Sequence, residues 1–153
     1  MLRPGGRLST FEPINRFSFP EPEDRLWGYD ISPVRDAADK VKAAYERAQP
    51  TAESPLMSFD ERDLVAWTDE AGFDEIHLRY EADVVPHLPE LFPKRAWEAF
   101  ARSSGNPLEP TVQEAIDAAL SPSEARELEE HLRPLVERGE GGWRLAVAYL
   151  WAS

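Results

Sequence analysis

Trp143-Arg144-Leu145-Ala146-Val147-Ala148-Tyr149-Leu150-Trp151 is the stretch that decides the architecture. Successive side chains of a strand point to opposite faces. Trp143, Leu145, Val147, Tyr149 and Trp151 therefore share one face, and Ala146, Ala148 and Leu150 the other, with only Arg144 charged. A strand apolar on both sides belongs inside a sheet covered on both faces. It needs two neighbours, and two earlier segments qualify. Arg7-Leu8-Ser9-Thr10-Phe11-Glu12 lies between Pro4-Gly5-Gly6 and Pro13. In Phe73 to Glu81, Ile76, Leu78 and Tyr80 alternate with His77, Arg79 and Glu81, as in a half-exposed strand.

Working outward, the intervening chain reads as helices and one long loop. Pro13 to Ser32 has no periodicity but holds Phe17, Phe19, Trp27 and Tyr29. Loops of that length are often lids or binding loops. Val34, Ala37, Ala38, Val41, Ala44, Tyr45 and Ala48 recur at helical spacing, with Ser32 as the expected N-cap and Gln49-Pro50 as the stop. Ser58-Phe59-Asp60-Glu61 fits a capping box ahead of a helix carrying Leu64, Trp67, Thr68 and Ala71, which Gly72 ends. Val85 to Gly142 reads as helical again. It contains a short helix over Lys94 to Ser103 and two further capping boxes, at Thr111-Val112-Gln113-Glu114 and Ser121-Pro122-Ser123-Glu124. Pro134 is expected to kink or end the last of these helices.

Composition excludes several functions. The chain has 153 residues, the size of one domain, and 42% are hydrophobic, enough for a core. Lys and Arg number 17 and Asp and Glu 29, a net charge of −12. Such a surface repels phosphate backbones and anionic bilayers, so neither nucleic acid nor membrane is an expected partner. With no cysteine, thiolate catalysis and Cys-ligated metal are excluded. No apolar run approaches the roughly 18 residues of a membrane span. Met1 to Gly6 lacks the apolar region of a signal peptide, so a cytoplasmic location is expected.

Three passages carry a family resemblance. Leu2-Arg3-Pro4-Gly5-Gly6-Arg7-Leu8 resembles the turn that opens the fifth strand of class I S-adenosylmethionine-dependent methyltransferases. Glu70-Ala71-Gly72-Phe73 resembles the passage into their sixth strand, and Trp143 to Trp151 their seventh. The resemblance implies an α/β fold: the C-terminal, substrate-side half of a Rossmann-like sheet. Its three strands would have the last one central and antiparallel to the others. It also implies that residues 1–81 and 142–153 form the sheet and its helices, with 82–141 a helical insertion. The implied reaction is methyl transfer from S-adenosylmethionine to a small-molecule acceptor. The family's Gly-rich cofactor loop and the acidic residue of its second strand have no counterpart here, and no Gly-x-Gly-x-x-Gly occurs. The chain alone is therefore expected to bind no cofactor and to be inactive. It would be a fragment, a shortened product or one subunit of a split enzyme, associating with an N-terminal half polypeptide or with itself.

Ligands of open α/β sheets sit beyond the carboxyl ends of strands. Glu12 is at such an end, followed by Asn15, Arg16, Phe17 and Phe19. The carboxylate could orient or deprotonate a nucleophile, and the aromatics enclose an apolar acceptor. Equally, Glu12 could cap a turn and the phenylalanines pack on the sheet. Trp27 and Tyr29 could close over a substrate or anchor their loop. No catalytic residue is singled out. His77 lacks an identifiable partner, and His77, His87 and His131 have no metal-ligand spacing. Two other functions fit the same residues: a binding or dimerisation module derived from that fold, and an unrelated α+β domain.

Overall fold

The computed structural model describes residues 5–88 and 90–153. Leu2, Arg3 and Pro4 of the proposed strand-opening motif lie outside the described residues. The elements in chain order are β1 (Leu8–Pro13), α1 (Asn15–Ser18), β2 (Arg25–Leu26), β3 (Tyr29–Asp30), α2 (Arg35–Ala48) and α3 (Glu61–Glu70). They continue with β4 (Ile76–Val85), α4 (Trp97–Ala101), α5 (Val112–Ala119), α6 (Pro122–Arg138) and β5 (Trp143–Ala152). The fold is mixed α/β, and it divides into two units. One runs to Pro20 and takes in Ala52–Val84 and Arg144–Ser153; the other comprises Glu21–Thr51 and Val85–Trp143.

The first unit is the sheet, in the order β1-β5-β4, so the terminal strand is central as expected. β1 and β5 run antiparallel, Leu8 opposite Ala152 and Phe11 opposite Tyr149. At the far end the Ile14 N–H donates to the Ala146 carbonyl at 2.8 Å, in the same register. Ser153 and Glu75 exchange bonds in both directions, at 3.0 and 3.1 Å, which sets β4 antiparallel to β5. Antiparallel partners alternate between bonded and non-bonded pairs. Even-numbered β5 residues therefore bond β1 and odd-numbered ones bond β4. By the same alternation Ser9 and Phe11 turn their N–H groups away from β5. Among the described residues no further strand joins either edge, and no two adjacent strands are parallel, so the sheet does not have the order of the expected Rossmann-like fold, whose neighbouring strands run mostly parallel.

One face of this sheet is covered. Ala146, Ala148, Leu150 and Ala152 are buried with Ile14 and Leu64, and Leu8, Phe17, Phe59, Phe73, Ile76 and Leu78 pack around them. The other face departs from the expectation of a doubly covered strand. Val147 is buried, but Phe11 is 54% and Trp151 47% exposed. Apolar composition on both faces makes a covered strand plausible, yet it supplies no second layer. α3 starts at Asp60, whose carboxylate accepts from the Arg62 and Asp63 N–H groups, while Asp63 returns the contact. The expected cap, Ser58, is instead bonded to the Pro55 carbonyl at 2.8 Å. Trp67, expected on the packed face of α3, is 51% exposed and leans on Phe59.

The second unit is helical. Its core joins Leu26, Tyr29, Ile31 and the α2 stripe Val34, Ala37, Ala38 and Val41 to Trp97, Phe100, Val112, Ile116, Leu128, Leu132 and Val136. This places Glu21–Thr51 with the helices, whereas the sequence placed it with the sheet. The reason is the buried face of α2, which α5 and α6 complete. Ser32 does not cap α2, because Asp30 Oδ1 accepts both its N–H (2.9 Å) and its hydroxyl (2.6 Å). The Thr111 and Ser121 capping boxes form as expected. Pro134 does not end α6, which runs to Arg138 and stops at the left-handed Gly139.

Candidate functional site

The residues after β1 are held in place by contacts within the sheet unit. Glu12 is half-buried, and its Oε1 accepts from Thr10 Oγ1 at 2.7 Å. Asn15 begins α1 and donates through Nδ2 to the Leu56 carbonyl at 3.4 Å. Arg16 reaches the α3 cap, Asp60, at 3.8 Å. Phe17 lies under the Arg144 guanidinium, 4.7 Å from its ring centre, and joins the core, whereas Phe19 is 48% exposed. Glu12, Asn15, Arg16 and Phe17 thus follow one another around the carboxyl end of β1, each held by a different neighbour. Of these groups Phe19 is the exposed aromatic, while the Glu12 carboxylate and the Asn15 amide already bond Thr10 and the Leu56 carbonyl.

Trp27 and Tyr29 fall in the other unit. Their expected loop is a β2–β3 hairpin whose turn residues, Trp27 (φ 54°) and Gly28 (φ 80°), are both left-handed. Two such residues make the turn that matches the twist of paired strands. Their N–H groups converge on the Glu21 carboxylate, each at 2.8 Å. Trp27 meets Tyr45 and Phe100 edge-on at 6.0 and 5.5 Å. Tyr29 is fully buried between Phe92 and Phe100, at 5.6 and 5.7 Å. Burial raises the Tyr29 phenol, though the Arg95 guanidinium beside it pulls the other way. Burial also pushes Tyr45 up to about 12. Both phenols therefore stay protonated as donors at neutral pH.

A further surface was not singled out from sequence. On the open sheet face a groove of about 420 Å³ is lined by Ser9, Phe11, Arg79, Tyr149 and Trp151. Arg79 sits 4.7 Å over the Tyr149 ring, and His77 stacks on Trp151 at 5.2 Å. His77 Nε2 also has a partner, Glu75 Oε1 at 2.9 Å. The alternation of β1 carried the signal, since it sets Phe11 opposite to Leu8, Thr10 and Glu12. Among the described residues no group of His, Asp or Glu has metal-binding geometry, and no helix is long and apolar enough to cross a membrane. The chain matches no family model, no curated protein and no solved structure.

Proposed function

We propose that this chain is the acceptor-side portion of an S-adenosylmethionine-dependent methyltransferase that methylates a small molecule. The order β1-β5-β4, with the last strand inserted antiparallel between the other two, is the observation that supports this reading. Glu12, Asn15, Arg16, Phe17 and Phe19, gathered where β1 ends, are the residues proposed to border the acceptor. Alignment of donor and acceptor supplies most of the rate in such reactions, so they act by positioning.

The residues present do not fit the cofactor itself. An adenosyl group needs glycines that let backbone approach it closely. The crowded glycines of the described chain are already filled from within. A Cβ at Gly28 would lie 2.6 Å from the Gly142 carbonyl oxygen, and the ring of Phe92 occupies the space at Gly141. No catalytic step is therefore assigned to these residues. The cofactor loop is proposed to come from an upstream polypeptide that also pairs with the open edge of β1.

The test is to express the chain with and without the polypeptide encoded immediately upstream of Met1. S-adenosylmethionine binding and transfer of its labelled methyl group to small acceptors are then measured. The extended product is expected to bind and transfer, and the chain alone to do neither. An extended product that binds no S-adenosylmethionine removes the methyltransferase reading. The exposed Phe11 and Trp151 beside an unpaired edge favour a second reading, a dimerisation module. Concentration-dependent self-association, with no cofactor binding by either product, would select it.

A further inference from the structure

The open face of the sheet carries a groove built from two cross-strand rows. The exchange between Glu75 and Ser153 sets the register of β4 on β5, with His77 opposite Trp151 and Arg79 opposite Tyr149. On the other side β1 sets Ser9 opposite Trp151 and Phe11 opposite Tyr149. Side chains of one face recur every second residue. The rows are therefore Phe11–Tyr149–Arg79 and Ser9–Trp151–His77, and all of these but His77 line the groove of about 420 Å³. Arg79 over the Tyr149 ring and His77 stacked on Trp151, 10° from parallel, hold both rings in place before any ligand arrives.

The polar groups come as matched pairs. Arg79 Nε lies 3.2 Å from Glu81 Oε1, and His77 Nε2 lies 2.9 Å from Glu75 Oε1. Each pair sets a donor beside an acceptor at the rim of an aromatic ring. An anion entering the groove meets two carboxylates on a chain of net charge −12, and a cation meets the Arg79 guanidinium. The complementary ligand is uncharged. A groove on a sheet face covers one side of a ligand and leaves the other in water, whereas sites for compact apolar molecules enclose most of the ligand surface. The ligand that fits has an apolar face for the half-exposed Phe11 and Trp151 rings, and edge groups that both donate and accept hydrogen bonds. A pyranose ring has that form, with C–H groups on its face and hydroxyls around its edge.

We propose that this groove binds a neutral oligosaccharide, stacked on Phe11 and Trp151 with its hydroxyls held by the Arg79–Glu81 and His77–Glu75 pairs. The site lies wholly within the sheet unit and does not rest on the methyltransferase reading.

Nuclear magnetic resonance of the full chain tests this through the Trp151 indole N–H. Cellohexaose, maltohexaose and N-acetylchitohexaose are titrated separately, with indole as a planar aromatic competitor class. A saturable shift with at least one hexaose is expected, and its identity names the linkage and sugar. Trp151→Ala, read from the Phe11 and Tyr149 resonances, is expected to weaken that affinity by about tenfold, the scale of one aromatic contact. Glu81→Gln, which unbalances the Arg79 pair at constant size, is expected to weaken it as well. Trp67→Ala removes an exposed aromatic of the same unit outside the groove and is expected to leave the affinity unchanged. No saturation with any hexaose, saturation with indole alone, or equal affinity in wild type and Trp151→Ala would overturn the proposal. Trp151 shifts that follow protein concentration without added sugar would make a second copy the occupant and overturn it too.

Discussion

Phe11 and Tyr149 face each other across β1 and β5, their ring centres 5.4 Å apart, on the side of the sheet where Phe11 is more than half exposed. One residue along β5, Leu150 points the other way and is buried. The two faces of one strand therefore carry different energetic weight.

That asymmetry is measurable by substitution. Leu150→Ala removes a fully buried side chain and should cost about 2–5 kcal/mol in urea unfolding. Trp151→Ala, at a half-exposed position, should cost clearly less despite the larger side chain. Equal losses would show that the second face is covered in solution.

Helix α3 offers a second test. Asp60→Ala should destabilise by about 1 kcal/mol, since Asp60 satisfies two free N–H groups at the helix start. Ser58→Ala should leave the melting temperature close to wild type, because its hydroxyl serves a preceding turn.

Gly28 and Gly72 both have positive φ but differ in surroundings. Nothing lies within 4 Å of a Cβ at Gly72, whereas one at Gly28 meets backbone at 2.6 Å. Gly72→Ala should cost about 1 kcal/mol, the backbone term alone. Gly28→Ala should cost more, and equal melting temperatures would contradict the packing of the hairpin turn.

Glu124 supplies a pH signature. Its carboxyl is held at about 2, against an ordinary 4.5, by the Lys40 ammonium first and then by the Ser121 hydroxyl and N–H. A lowered folded value means that the contribution is complete above the unfolded value and disappears as pH falls toward about 2. Carboxyl carbon shifts should show the low midpoint, and Lys40→Ala should raise it. A midpoint unmoved by Lys40→Ala would place the cause elsewhere.

What the sequence revealed follows from the range of the forces involved. β5 was legible because period-two alternation is local, and so were the boxes at Thr111 and Ser121, closed within four residues. Ser58 and Ser32 misled because each has a competing local partner, Pro55 and Asp30, that local pattern does not rank. The β2–β3 hairpin was hidden because its turn puts Trp27 in a conformation that a bulky residue rarely adopts. The bare second face was hidden because composition records which side chains are apolar, not what covers them. In the candidate site, the placing of Glu12 through Phe19 at the end of β1 followed from their position along the chain. Arg95 beside Tyr29 arises from tertiary packing alone.

The central claim is that β1 is an edge awaiting another strand, and hydrogen exchange tests it most directly. In a dilute monomer the account predicts rapid exchange at the Ser9 and Phe11 amides and protection at Thr10, Glu12 and the β5 residues from Ala146 to Ala152. The upstream polypeptide proposed above is expected to protect Ser9 and Phe11. If a dilute monomer already protects Ser9 and Phe11 as well as Thr10, the edge is not open and the account is contradicted.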